Sequence, residues 1–175
     1  MSNTAPISMY DVSVPLFVQT LGGLRDVIGK GEAFAEANKV DPQVLLDARL
    51  FPNMFALSRQ ILVATEFAKA GASRLASVDI PAYQGPIGGF AESYARIDAA
   101  INFFTGLSRE AVDGSEARAI DYKIMTTEKS YNGKPYLLHS VLPQFYFHVT
   151  AAYAILRTNG VKLAKEDYLG EYPTH

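Results

Sequence analysis

The sequence contains no cysteine, which excludes several kinds of chemistry at once. Disulfide bonds, thiolate nucleophiles and cysteine-ligated zinc sites all require thiols. A chain of 175 residues without disulfides depends on its hydrophobic core, and this length suits one domain spanning residues 1–175. The lack of cysteine is also typical of reducing compartments, and we expect a cytoplasmic protein.

The sequence also has little excess charge of either sign. Sixteen Lys and Arg residues oppose 18 Asp and Glu residues, which gives a formal net charge of −2. Binding to a phosphate backbone requires a broad basic surface. We therefore do not expect nucleic acid as a partner.

The familiar phosphate-binding and hydrolase motifs are missing as well. No glycine-rich loop follows a predicted strand and opens a helix, and no Gly-x-Ser-x-Gly is present. The glycines of residues 85–89 lie in a connection between two predicted helices. The sequence therefore indicates neither a nucleotide-binding fold nor a serine hydrolase.

Signals for secretion or membrane insertion are weak. Residues 1–9 contain no Lys or Arg, unlike the start of a signal peptide. One run, Pro135 to Leu156, has 22 residues without a charged side chain. It includes His139, Gln144 and His148, which are costly in hydrocarbon. We therefore predict a helix that is covered by protein, and no membrane partner.

Four long segments have apolar residues at spacings of three and four, as on one face of a helix. The predicted long helices are residues 13–38, 53–75, 90–107 and 135–158, with a short helix at 41–48. Glycines at positions 22, 23, 29 and 31 indicate a closely packed neighbour or a bend in the first helix. The pattern predicts an all-α protein, an antiparallel four-helix bundle.

The pattern changes before the last helix. Apolar and charged residues alternate from Ile120 to Ile124, as in a half-buried strand. The turn-forming pair Asn132-Gly133 comes later, but Pro135 follows almost at once. We therefore predict one short extended segment rather than a full hairpin.

The last helix has more neutral surface than a single buried stripe requires. Its uncharged side chains surround the helix, whereas a bundle covers only one face. The surplus predicts a homodimer interface through this helix.

A histidine falls on the buried stripe of the last helix. The stripe comprises Leu138, Val141, Phe145, His148, Ala152 and Ile155. Gln144 precedes His148 by one turn, so the two side chains can converge inside the bundle. A histidine in this position either forms a hydrogen bond with a buried partner, such as Gln60 or a tyrosine, or belongs to a ligand-binding pocket.

The histidines alone do not predict a metal site. His139 and His148 lie nine residues apart and point in different directions on an ideal helix, and His175 is the last residue. The carboxylates of Asp11, Glu66 and Glu92 are expected to be solvated or paired with Lys and Arg. We predict no cofactor from these residues.

Three segments resemble a known bacterial family. They are Tyr10 to Phe17, Asp47 to Phe55, and Leu142-Pro-Gln-Phe-Tyr-Phe-His148 continuing to Arg157-Thr-Asn-Gly160. They resemble a family of unknown function within the DinB-like (YfiT-like) superfamily of four-helix bundles, over nearly the whole chain. The resemblance implies up-down-down-up topology and dimerisation. In the better understood relatives it implies a metal held by three histidines, used in some for thiol-dependent transfer.

The metal site of those relatives matches this sequence poorly. They place two histidines four apart on the last helix, where this chain has Gln144 and His148. Their third histidine comes from the second helix, which contains none here, and Gln60 is the nearest polar candidate. Because glutamine is a poor replacement for imidazole on zinc or nickel, the resemblance implies a degenerate site that retains only His148.

Two hypotheses follow. In the first, the chain is a small-molecule-binding bundle protein, either a simple binder or an enzyme, with a pocket formed by His148, Gln144 and Gln60. His148 is then the candidate acid, base or hydrogen-bond partner. In the second, the chain is a non-catalytic homodimeric interaction or structural protein, and the same three side chains form a buried polar cluster.

Overall fold

The computed structural model describes residues 7–83, 85–124 and 126–172, and most of them are helical. The helices, in chain order, are α1 (Val14–Asn38), α2 (Pro42–Leu46), α3 (Leu57–Ala76), α4 (Phe90–Thr105), α5 (Arg109–Val112), α6 (Gly133–Tyr136), α7 (Leu142–Thr158) and α8 (Lys165–Leu169). A π-helical turn, Leu137–Val141, joins α6 to α7 and is called the π-turn below. Strands β1 (Ala119–Ile124) and β2 (Thr127–Asn132) form a small antiparallel sheet.

Local signals in the sequence set several helix ends. Pro15 stands in the first turn of α1, where no N–H is needed. The Asp41 side chain accepts a hydrogen bond from the N–H of Gln43 and caps α2. Gly160, with φ of +95°, follows the end of α7 in the left-handed region that glycine adopts without strain.

The long helices share a common hydrophobic core. Helix α3 packs extensively along α7, and α1 packs along α4. Helix α4 also contacts α3, and α1 contacts α7. Fully buried side chains include Phe17 of α1, Ile61 of α3, Phe104 of α4 and Phe145 of α7. The fold is thus mostly helical, with a small two-stranded sheet at one side.

The second long helix begins later than predicted. Residues 53–56 form a turn and an extended connection, and α3 starts at Leu57. The Arg49 guanidinium donates to the carbonyl of Met54, and the Gln60 amide donates to the carbonyl of Phe55. These side-chain bonds satisfy carbonyl groups of residues 54 and 55 without a helix. The apolar spacing from residue 53 therefore does not mean that the helix begins there.

The prediction of a single extended segment was wrong, because the structure contains a hairpin. Ile120 of β1 lies opposite Tyr131 of β2, and Tyr122 lies opposite Lys129. Pro135 does not interfere, since β2 ends at Asn132 and the proline lies in α6. A proline beyond the last ladder residue removes no hydrogen bond from the sheet.

The π-turn explains how the last helical segment accommodates a proline. The N–H of Leu142 donates to the carbonyl of Leu137, five residues earlier. Helix α7 then begins at Leu142, with Pro143 in its first turn. A residue without an N–H breaks no intrahelical bond at that position.

The π-turn also corrects the predicted buried stripe. Its members from Val141 onwards are buried, including His148, but Leu138 is 38% exposed. Leu137 is buried in its place. A π-helical turn contains more residues than an α-helical turn, so the helix face before it is rotated relative to the face after it.

Two glycines of α1 mark close approaches, Gly23 to the C-terminal segment and Gly31 to α7. A Cβ built at Gly23 would lie 2.7 Å from the carbonyl oxygen of Tyr168, and one at Gly31 would lie 3.0 Å from Leu156. The Gln19 amide also donates to the carbonyl of Leu169. Helix α8 and the residues after it therefore pack directly on α1.

Within the described part of the chain, no helix has both the length and the apolar character needed to cross a membrane. The uncharged run is interrupted by the π-turn, and its second half is α7, with 17 residues.

Two adjacent glycines of α1 give a matched test of this packing. Gly22→Ala should stabilise the protein by up to about 1 kcal/mol, since a Cβ there meets nothing within 4 Å and alanine favours helix. Gly23→Ala should destabilise it by about 1–3 kcal/mol, because the new methyl meets backbone atoms of the C-terminal segment. Urea unfolding measures both free energies. Equal stabilisation by the two variants would show that this segment does not pack on α1.

Candidate functional site

The structure pairs His148 of α7 with Gln60 of α3. His148 Nδ1 lies 2.6 Å from the side-chain oxygen of Gln60. Both residues are buried, with 8% and 1% of their surface exposed. The pair lies where α3 and α7 pack together, so it joins the two helices with the most extensive contact.

The hydrogen bonds of Gln60 determine which nitrogen of His148 carries the proton. The amide nitrogen of Gln60 donates to the carbonyl of Phe55 at 3.2 Å. The amide oxygen is therefore the atom that faces His148, and it only accepts hydrogen bonds. Nδ1 must then be the protonated nitrogen, and Nε2 of the neutral ring keeps its lone pair. No described residue forms a hydrogen bond with Nε2, and this atom is not among the fully buried polar atoms.

Two phenylalanine rings fix the plane of the imidazole. The ring centroid of Phe55 lies 6.2 Å from that of His148, and the centroid of Phe67 lies 5.8 Å from it. Both phenyl rings are nearly parallel to the imidazole, at 14° and 11°. Phe147 meets the imidazole edge-on at 5.2 Å. The aromatic contacts and the Gln60 bond together leave the ring little freedom to rotate.

This environment favours the neutral imidazole. Burial lowers the pKa of His148 below its ordinary value of 6.5, and the nearby positive charge of Arg59 lowers it further. Near neutral pH the ring is thus a hydrogen-bond donor at Nδ1 and an acceptor or base at Nε2.

A cavity of about 190 Å³ lies beside the imidazole. Its walls are Asn53, Met54, Phe55, Gln60, Phe147 and His148. Three of these six side chains are apolar, and the hydrogen-bonded pair of His148 and Gln60 forms part of the polar wall. A few polar groups in an apolar concavity are the usual arrangement of a small-ligand site.

Gln144 does not join His148, although their spacing allowed it. Its amide nitrogen donates to the carbonyl of Ser140 at 3.0 Å and to the hydroxyl of Ser140 at 3.1 Å. Side chains on a helix lean toward its N-terminus, so Gln144 reaches back by one turn rather than forward to His148. Of the two predicted partners, the structure places only Gln60 against the imidazole.

The aromatic residues around His148 were not predicted as part of the site. Phe67 follows Gln60 by seven residues, so both lie on one face of α3. That spacing was visible in the sequence. Phe55 gave no such signal, because it lies in the connection before α3 and only the tertiary structure brings it to the imidazole.

The residues present do not fit the three-histidine metal site that the resemblance implies. In the described ranges, no group of three or more His, Asp or Glu side chains could hold a metal ion. His139 is exposed on the π-turn, and His175 lies outside the described residues. Asp11 and Glu66 are paired with Arg109 and Lys69 at 2.5 and 2.7 Å.

An exposed apolar surface adjoins the His148 cavity. It consists of Leu50, Met54, Phe55 and Phe147 and is called the apolar surface below. Leu50, Phe55 and Phe147 are 38%, 45% and 56% exposed. Leu50, Met54 and Phe147 also line a second concavity of about 310 Å³, which continues along α7 to Ala154.

Comparisons with known proteins agree with the resemblance seen in the sequence. The family model described as "Domain of unknown function (DUF1993)" matches residues 9–169. The crystal structure of a DinB family member protein from Shewanella denitrificans has 36% sequence identity and a TM-score of 0.85. The similarity covers 95% of this chain and 94% of that one. A search of curated proteins gives no match.

The lowered pKa of His148 predicts a pH-dependent stability. Below pH 6.5 the unfolded chain binds a proton at this residue more readily than the folded protein does. The free energy of unfolding should therefore fall as the pH decreases from 6.5 to the folded pKa, and this contribution should be constant above 6.5.

Histidine NMR between about pH 5 and about pH 8 measures this pKa directly. Urea unfolding over the same range should show a steeper loss of stability in the native protein than in His148→Gln. His139→Gln, which alters an exposed histidine, should follow the native protein. A His148 midpoint at or above 6.5 would contradict the assignment of a neutral, desolvated ring.

Proposed function

The chain belongs to the DUF1993 family within the DinB-like superfamily, and we propose that it binds a small molecule at His148. The proposal rests on one observation, which is that only one of the two imidazole nitrogens has a hydrogen-bond partner among the described residues. Nδ1 is held by Gln60 at 2.6 Å, whereas Nε2 has no hydrogen-bond partner among the described residues. Because Nε2 is not fully buried, it is the ring nitrogen that a molecule in the adjoining cavity can reach.

The ligand that fits has an apolar body and one hydrogen-bond donor. Met54, Phe55 and Phe147 supply an apolar wall, and Nε2 offers a lone pair rather than a proton. A cavity of about 190 Å³ suits a molecule smaller than a typical drug. The same lone pair can accept a proton from a bound hydroxyl or amine, so the arrangement also serves a general base.

The architecture that presents this site is, in our proposal, one antiparallel four-helix bundle domain. Helices α1, α3, α4 and α7, with the π-turn and α6 leading into α7, are its four members. Each long helix has its most extensive contacts with two others, in the cyclic order α1, α4, α3, α7. Sites between facing helices are common in bundles, and His148 lies between α3 and α7.

Phenol is a suitable probe of the His148 site, because it combines an apolar ring with a single hydroxyl donor. Phenol should perturb the NMR signals of His148 and Phe147, and anisole, which has no donor, should bind more weakly. His148→Phe should weaken phenol binding by about 5-fold or more, the value of one lost hydrogen bond. His139→Gln should leave the affinity unchanged. Equal binding of phenol and anisole to the native protein would contradict a role for Nε2.

A second function, homodimeric interaction, is favoured by the apolar surface. Exposed neighbouring apolar side chains commonly mark a protein interface, and Phe147 is contributed by the last helix. In this alternative, the His148 and Gln60 pair is a satisfied polar contact beneath a dimer interface, and the Gln144 bonds to Ser140 are structural.

Sedimentation velocity distinguishes the two functions. If the apolar surface forms a homodimer, the native protein should sediment as a dimer, and Leu50→Glu should produce a monomer. Leu50 does not line the His148 cavity, so phenol binding should survive that change. Val78→Glu places the same charge at a similarly exposed position after α3 and should remain dimeric. A native protein that is monomeric at all concentrations would exclude the dimer.

A further inference from the structure

A second cavity, of about 240 Å³, lies between α3, β1 and the π-turn. It shares no wall residue with the cavity at His148. Phe67 separates the two, because its ring stacks on His148 while its side chain also lines the second cavity. None of the described residues that line the second cavity is a histidine, so its chemistry differs from that of the His148 site.

Two cations, Arg74 and Lys123, line this cavity, and Arg74 is the one whose guanidinium is held by contacts with other described residues. One of its nitrogens donates to the hydroxyl of Tyr136 at 2.8 Å. The guanidinium carbon lies 5.0 Å from the centre of the Tyr122 ring and 5.9 Å from that of the Tyr136 ring. Cation–π contact lowers the cost of the charge but accepts none of the N–H donors. Of the five donors of an arginine, only one is used by a described residue.

The carboxylate in the same cavity does not compensate Arg74. Glu66 is bound from the other side by Lys69 at 2.7 Å and by Arg96 at 3.6 Å. Both cations are buried, with 1% and 7% exposure. Glu66 therefore neutralises charges inside the protein, and Arg74 forms no ion pair with any described carboxylate.

The hydroxyl groups of the cavity add a further donor. The Tyr122 and Ser140 hydroxyls lie 2.8 Å apart, and Ser140 Oγ also accepts from the Gln144 amide. The two hydroxyls have two protons and use one between them. Whichever group donates, the other proton has no acceptor in the described structure. This residual proton and Arg74 supply donors without matching acceptors, which is the composition of an anion site.

The remaining wall limits the kind of anion. Phe67 and Ala70 of α3 and Val141 of the π-turn form the apolar part of the wall. A phosphate ion has no apolar part and would gain nothing from this wall. A molecule with one negative charge and a short apolar body would use both parts of the cavity.

From this geometry we infer that the cavity binds a small organic monocarboxylate. Arg74 holds the carboxylate together with the hydroxyl pair of Tyr122 and Ser140, and the apolar body lies on Phe67, Ala70 and Val141. Tyr136 positions Arg74 by accepting its hydrogen bond. The site is independent of His148 and of the function proposed there.

Benzoate is the probe, with benzyl alcohol as its neutral counterpart. Saturation-transfer NMR and calorimetry should show benzoate binding to the native protein and weaker binding of benzyl alcohol. Arg74→Gln should weaken benzoate binding by about 10-fold or more, as expected for the loss of a charge-assisted hydrogen bond. Arg157→Gln removes the same charge from an exposed position on α7 and should leave the affinity unchanged.

A second variant tests the same cavity without removing the Arg74 charge, in case Arg74→Gln does not fold. Ala70→Leu fills the cavity with a good helix-forming residue and keeps all charges, so it should abolish benzoate binding in a folded protein. Phenol binding at His148 should persist in both variants, which separates failure of this site from failure of the first. The inference is overturned if benzoate does not bind the native protein or if it binds both variants unchanged. Inorganic phosphate that displaces benzoate at equal concentration would also overturn it, by showing an unselective anion site.

Discussion

The packing of α3 against α7 and against the π-turn and α6 before it is the constraint on which the candidate sites depend. A Cβ at Gly71 would lie 2.5 Å from a methyl carbon of Val141, so the helical segments approach as closely as a glycine permits. This approach brings Gln60 to His148 and stacks Phe67 on the imidazole. Farther along α3, Arg74 reaches Tyr136. Both cavities lie beside this close contact, and residues of α3 line each of them.

Charge inside the protein is distributed unevenly, and this difference gives the two cavities different chemistry. Lys69 and Arg96 are buried around Glu66, and the ammonium group of Lys69 lies 3.8 Å from the centre of the Tyr83 ring. These contacts compensate two buried cations. Arg74 is left with a tyrosine hydroxyl and two aromatic rings. His148 is neutral because burial and Arg59 lower its pKa. One cavity therefore offers a lone pair, and the other offers donors.

The π-turn changes which side chains of the last helical segment are buried, compared with a regular α-helix. It exposes Leu138, buries Leu137 and allows Pro143 to stand at the start of α7. It also presents Ser140 to Gln144 and to Tyr122 of the hairpin. Gln144, which the sequence assigns to the His148 pocket, thus belongs to the neighbouring cavity's hydrogen-bond network. Irregular turns of this kind are often found at functional sites.

The sequence by itself determined that the chain has four long helical segments and that His148 points inward, because both follow from local apolar spacing. It also named Gln60 among several candidate partners, and it offered close packing or a bend as the two explanations for the glycines of α1. The tertiary structure decided the rest. Whether Gln60 or Gln144 meets His148 depends on how side chains lean along α7 and on where α3 lies beside it. The burial of Lys69 and Arg96, the hairpin, and the tyrosine contacts of Arg74 depend on contacts between segments distant in the chain. Periodicity within one helix contains no information about those contacts.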